Sequence, residues 1–156
     1  MKFMKLASSA IMAAVLTLAA GASASDTVYH GSLCNPQPPD VSKIDYNQFG
    51  SFNIAATTGT VSCGTGTQIL ATVNTVSIIA YDRNSSTNVS CTVMLTDIFG
   101  NSLFTQNKTT TGNSAGSQTL NYTPGVGTHT VYVRCDIPAV TASGNSVVAS
   151  YRIITP

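Results

Sequence analysis

Val89-Ser-Cys-Thr-Val-Met-Leu-Thr96 and His129-Thr-Val-Tyr-Val-Arg-Cys135 decide the fold class. In the first stretch Cys91, Val93 and Leu95 share one side; in the second Val131, Val133 and Cys135 do. Apolar residues recurring at every second position mark strands with one buried face, because successive side chains of a strand point to opposite sides. Both stretches therefore turn a cysteine into an apolar layer.

The same pattern extends outward. Candidate strands lie near Thr27–Gly31, Ser51–Ala56, Thr60–Cys63, Val73–Tyr81, Ser102–Gln106, Gln118–Tyr122 and Val147–Ile154. Val73–Tyr81 is apolar on both sides at Ile78 and Ile79, as suits a central strand. Between the runs stand turn-forming residues. Pro36-Gln-Pro-Pro-Asp40 cannot enter a sheet interior, since proline lacks the amide proton a ladder needs. Phe99-Gly-Asn-Ser102 and Pro124-Gly-Val-Gly127 read as turns, and the polar stretch Lys108–Ser117 as a mobile loop. No helical periodicity and no fixed-period repeat interrupts the series. These features predict an all-β chain: a single antiparallel β-sandwich, Ig-like or jelly-roll-like, over residues 25–156.

The first 24 residues stand apart. Lys2 and Lys5 precede the apolar run Ile11–Ala20, and Ala22-Ser-Ala24 has the small residues of a cleavage site, so residues 1–24 read as a signal peptide. The run is too short to span a bilayer, and no transmembrane segment is expected in the mature chain. The signal predicts an exported protein, periplasmic or extracellular. In that compartment the four cysteines Cys34, Cys63, Cys91 and Cys135 read as two disulfides. Metal binding is the rival reading, but no pair has zinc-knuckle spacing. Three pairings are possible. The shared apolar sides of Cys91 and Cys135 favour joining those two, which leaves Cys34 for Cys63; each bridge would stabilise the fold by roughly 2–4 kcal/mol.

Composition excludes some functions. The 156 residues are 43% hydrophobic and 8% charged, with a formal charge of +1. So few charges argue against a disordered chain and against a nucleic-acid binder, which needs a basic patch to neutralise phosphates. Serine hydrolysis needs a histidine base, and only His30 and His129 are present, without a G-x-S-x-G elbow. The chain has no Glu, so paired-carboxylate chemistry would have to come from aspartates in turn-like contexts. No cofactor is implied: Gly64-Thr-Gly66 lacks the Lys and helix of a phosphate loop. Calcium would need Asp82, Asn84 and Asp97 to converge without a D-x-D-x-D-G loop, and no metal site is expected.

Two candidate binding features remain. Tyr81-Asp82-Arg83-Asn84 follows the strongest strand; Asp82 and Asn84 are the candidate polar contacts, unless Asp82 pairs with Arg83 or holds a turn. Tyr29, Tyr46, Phe49 and Phe52 gather in the first third, where they would form a sugar-stacking platform or cover a sandwich edge.

The order Gly31-Ser-Leu-Cys34, Ile44-Asp-Tyr46, Val61-Ser-Cys63, Tyr81-Asp-Arg-Asn84, Cys91-Thr-Val, Val133-Arg-Cys-Asp-Ile-Pro138 and Ser150-Tyr-Arg-Ile153 resembles a group of small exported proteobacterial four-cysteine proteins with no assigned function. The resemblance covers nearly all of the chain after the leader. It implies an exported, bacterial, disulfide-bonded β-domain and no activity.

Three functions compete on these grounds. The leading expectation is a non-enzymatic module binding a glycan or a protein surface through Tyr46, Asp82 and Asn84. The second is a self-associating subunit of a surface layer, pilus or filament, since low charge weakens repulsion between copies. The third is a small hydrolase built on His129 and Asp136.

Overall fold

The structure, a computed structural model, describes residues 24–65, 69, 71–112, 116–128 and 130–156. The expected leader falls outside these residues except for Ala24.

The described residues form β1 (Asp26–His30), β2 (Asn35–Pro36), β3 (Ile44–Asn47), β4 (Gly50–Asn53), β5 (Gly59–Gly64), β6 (Ala71–Val73) and β7 (Thr75–Tyr81). They continue with β8 (Ser90–Thr96), β9 (Ser102–Thr109), β10 (Ser117–Tyr122), β11 (Val126–Thr128), β12 (Thr130–Ile137) and β13 (Val147–Ile154). Single 3-10 turns occupy Gly31–Leu33 and Asp40–Ser42.

Two antiparallel sheets make a sandwich. One runs β10-β7-β13-β4-β3, with β1 also paired to β13; the other runs β2-β5-β12-β8-β9; β11 and β6 form a separate pair. Strict alternation in β7 and β8 sends Val76, Ile78 and Ala80 from the first sheet, and Cys91, Val93 and Leu95 from the second, into one core. Burying each of the valine, isoleucine and leucine side chains contributes about 1.5–3 kcal/mol. Two tyrosines of the first sheet reach across that core. Tyr122 donates from its hydroxyl to the Cys91 carbonyl (2.7 Å) and Tyr151 to the Gly64 carbonyl (2.6 Å), so both buried phenols are satisfied by the opposite sheet.

Cys34 is bonded to Cys63 and Cys91 to Cys135. Cys91 and Cys135 face each other across β8 and β12, and the Cys34–Cys63 bridge lies beside the Asn35–Ser62 pair of β2 and β5. The Cys91–Cys135 bridge thus staples two neighbouring strands of one sheet, and Cys34–Cys63 ties the residue before β2 to β5 of the same sheet.

Several strand expectations need correction. Val73–Tyr81 is two strands: the chain leaves the β6–β11 pair and enters the main sheet at Asn74, whose amide donates to Ile154. Ile44–Asn47 and Val126–Thr128 are strands too short to show an alternating pattern. The loop expected from Lys108 begins later, because Lys108 and Thr109 belong to β9 and Thr110 is fully buried. Pro36 does sit in a strand, but an edge one, where a missing donor costs no ladder bond.

One edge of β13 is shared by two strands. β1 pairs with Ser150–Ile154 and β4 with Val147–Val148, and the register on β7 shifts between Val148 and Ser150. Only glycine fits at this junction: a Cβ on Gly31 or Gly50 would stand 2.0 or 2.1 Å from the Val148 carbonyl oxygen. The crowded joint fixes β4 beside the start of β13, and that places the site described next.

Candidate functional site

On the outer face of the first sheet, Val147 is the cross-strand partner of Phe52 on one side and of Tyr81 on the other. Opposed residues in antiparallel strands share a face, so the three side chains form one row, about 10 Å across two strand spacings. The turn between β3 and β4 adds Phe49, which is 59% exposed. Asn47, Arg83, Gly144 and Asn145 complete a cleft of about 510 Å³. That volume lies in the range of small-ligand sites, roughly 300–1,000 Å³, and the lining is of the kind such sites use: apolar and aromatic walls with a few polar groups.

The polar rim is held from beneath. Burial alternates without a break from Ala80 to Asn84, past the end of β7, so Tyr81 and Arg83 face outward while Asp82 and Asn84 face in. Asp82 is fully buried and accepts hydrogen bonds from the Thr110 hydroxyl (2.5 Å), the Asn84 amide (3.0 Å) and the Ser146 hydroxyl (3.3 Å). Ser146 in turn accepts from the Arg83 amide (2.9 Å), and the Thr141 hydroxyl donates to the Arg83 carbonyl (2.9 Å). The backbone of Arg83 is therefore pinned on both sides. Asn84 accepts from the amides of Ser86 and Thr87 and donates to the Ala139 carbonyl.

These positions change the roles assigned to the sequence candidates. Asp82 and Asn84 have their polar atoms committed to the interior, where they brace the loop instead of meeting a ligand. Tyr46 pairs with Ser51 and so lies on the opposite side of β3 from Asn47, away from the cleft. Burial, and secondarily the neighbouring Asp45 carboxylate, raise its phenol above the usual range. Of the four early aromatics, Phe49 and Phe52 join the cleft, while Tyr29 stacks on Tyr151 with ring centres 4.8 Å apart. Tyr81, Arg83, Asn47, Asn145 and Val147 were not foreseen; only the continued alternation beyond Tyr81 could have signalled the first two.

The other chemical candidates do not converge. His30 bonds Ser32 and the Gln48 carbonyl, bracing the turn that carries Phe49. His129 lies outside the described residues; Asp136 accepts from Thr60 and pairs with Arg134. Asp97 follows β8 at the end opposite to Asp82 and closes a hairpin by accepting from the amides of Phe99 and Asn101 and the Asn101 side chain. Those bonds, led by the Asn101 side chain, hold its carboxyl below the usual range. Among the described residues no group of three metal-ligating side chains occurs. A second, more open concavity of about 480 Å³ at that end is lined by Ala71, Ile98, Leu103 and Asp97, with Asp97 already engaged in its turn. Among the described residues no helix is long and apolar enough to cross a membrane.

No protein-family model and no curated protein matches the chain. Solved structures share its fold. A family two carbohydrate esterase from Cellvibrio japonicus superposes with a TM-score of 0.52 at 10% identity, over 85% of this chain and 34% of that one, so the chain spans about a third of the esterase structure. The CBM36-1 domain of a multidomain xylanase from the hindgut metagenome of Trinervitermes trinervoides superposes at 0.50 and 11% identity, over 83% of this chain and 96% of that domain. At such identities the likeness is one of fold.

Proposed function

We propose that the protein is an exported, non-catalytic module that binds a carbohydrate in the cleft between Phe49, Phe52, Tyr81 and Arg83. The observation that carries this reading is the Phe52–Val147–Tyr81 row flanked by the amides of Asn47 and Asn145. Flat apolar rings suit the C–H faces of a sugar, and side-chain amides offer both donors and acceptors to its hydroxyls. A rigid sheet carries the row, so little ordering is needed on binding. A carbohydrate esterase and a domain of a multidomain xylanase have a similar fold, but a fold hosts many functions and the reading rests on the cleft. Two bridges among the four cysteines fit an oxidising compartment.

The test is calorimetry against a panel of plant and bacterial oligosaccharides. Tyr81→Ala should weaken binding about tenfold or more, from lost apolar contact. Phe99→Ala, 82% exposed at the far end, should leave it unchanged. Unfolding curves of each variant separate lost contact from lost fold. Silence across the panel, or binding indifferent to both Tyr81→Ala and Phe52→Ala, overturns the reading.

A further inference from the structure

Arg83 differs from every other cation among the described residues. Lys43 pairs with Asp40 (2.7 Å), Arg134 with Asp136 (3.4 Å) and Arg152 with Asp26. Lys108 donates to the Asn121 carbonyl and lies over the Tyr122 ring. Among the described residues the guanidinium of Arg83 has no carboxylate within ion-pair distance, although the residue is half-buried. It brings the one formal charge to the lining of the cleft, and its backbone is clamped by Ser146 and Thr141. A guanidinium in a cleft lining without a counter-charge is free to pair with a ligand anion.

The acids nearby do not fill this role. Asp82 adjoins Arg83 in sequence, but its carboxylate turns into the interior toward Thr110, Ser146 and the Asn84 amide. Asp45 shares the outer row with Phe52, on the side away from Val147, so it stands about three strand spacings, roughly 14 Å, from Tyr81. The row therefore has an acid at Asp45 beyond Phe52, while Arg83 lies two residues past Tyr81 on the same outward side of the chain.

We propose, building on the carbohydrate-binding reading, that the cleft selects an acidic sugar: a uronic acid whose carboxylate is gripped by Arg83 while its ring lies against Tyr81 and Val147. The planar guanidinium fork matches a carboxylate with two parallel N–H···O bonds, and the absence of a second cation in the lining suits a single charge. A sulfate ester offers related oxygens, and the experiment must tell the two apart.

The test compares calorimetric affinities for three oligosaccharides of equal length: a neutral xylo-oligosaccharide, the same chain bearing a glucuronic acid branch, and the neutral chain carrying a sulfate ester. The wild-type protein should bind the uronate form about tenfold or more tightly than the neutral one, and the preference should shrink as salt is raised. Arg83→Gln should abolish the preference, bringing the uronate affinity down to that for the neutral chain; Arg83→Lys should restore only part, because a point charge lacks the fork. Equal wild-type affinity for neutral and uronate chains overturns the proposal while leaving carbohydrate binding intact. So does a preference that survives Arg83→Gln, or tighter binding of the sulfate ester than of the uronate. Binding of none of the three, with no other glycan bound, overturns the parent reading.

Discussion

Replacing Asp82 by alanine tests whether the loop behind the cleft is braced from inside. The carboxylate accepts from three donors in a region where Asp82, Thr110 and Ser146 are fully buried. A buried donor left without an acceptor costs about 1–3 kcal/mol. Thr110 keeps a second acceptor in the Val89 carbonyl at 3.4 Å, so two donors, the Ser146 hydroxyl and the Asn84 amide, are truly orphaned. Relief of the desolvated carboxylate, which has no cation beside it, offsets part of the loss. The expected destabilisation is about 2–3 kcal/mol, or roughly 6–10 °C in Tm for a domain of this size. Asp82→Asn keeps an acceptor for Ser146 and Asn84 and should cost only about 1 kcal/mol. The chain has no tryptophan, so urea unfolding is followed by tyrosine fluorescence and circular dichroism, with the midpoint shifted and the slope unchanged. A loss for Asp82→Ala below about 0.5 kcal/mol would mean that the donors find water, and would refute both the brace and the fixed placement of Arg83 that depends on it.

Gly31→Ala and Gly50→Ala each drive a Cβ into the Val148 carbonyl, and Gly50 also has a φ of +129°, so each should cost about 3 kcal/mol or more and yield little soluble protein. Gly127→Ala, with open space around it, is the control; equal yields for all three would show that β1 and β4 do not converge on β13 as described. In alkali Tyr122 and Tyr151 should titrate above the range of unfolded tyrosines. Burial pushes the Tyr151 phenol up to about 12 and Tyr122 higher still, whereas unfolded tyrosines ionise near pH 10. Since the folded pKa is raised, the stability these phenols contribute is complete below about pH 10 and is lost as pH rises through about 12. Phenolate absorbance and circular dichroism recorded together check this; complete ionisation near pH 10 with an intact fold would contradict the two inter-sheet hydrogen bonds.

Side-chain alternation is a local property, and where a strand is long it was readable. Val89–Thr96 could be assigned an inner and an outer face, and its inward cysteine could be joined to that of His129–Cys135, because a residue's face depends only on its neighbours along the chain. In Val147–Ile154 alternation placed Tyr151 and Ile153 together, but the register shift turns Val148 inward in place of Ala149. Short strands such as Ile44–Asn47 escaped, since four residues carry too little pattern. In the Tyr81–Asn84 motif the polar character of Asp82 and Asn84 drew attention outward. The outward residues are in fact Tyr81 and Arg83, because the strand's alternation persists after its hydrogen-bonded ladder ends.

The amino-acid sequence by itself determined the class of fold, the inward faces of Val89–Thr96 and His129–Cys135, several of the turns and the cysteines available for bridging. Only the tertiary structure decided which strand ends meet. Phe52, Tyr81 and Val147 are far apart in the chain and become a single row because β13 lies between β4 and β7. That adjacency comes from long-range pairing and from two glycines that let β1 and β4 crowd one edge. Periodicity records which way a side chain points; close packing of distant segments determines what it points at.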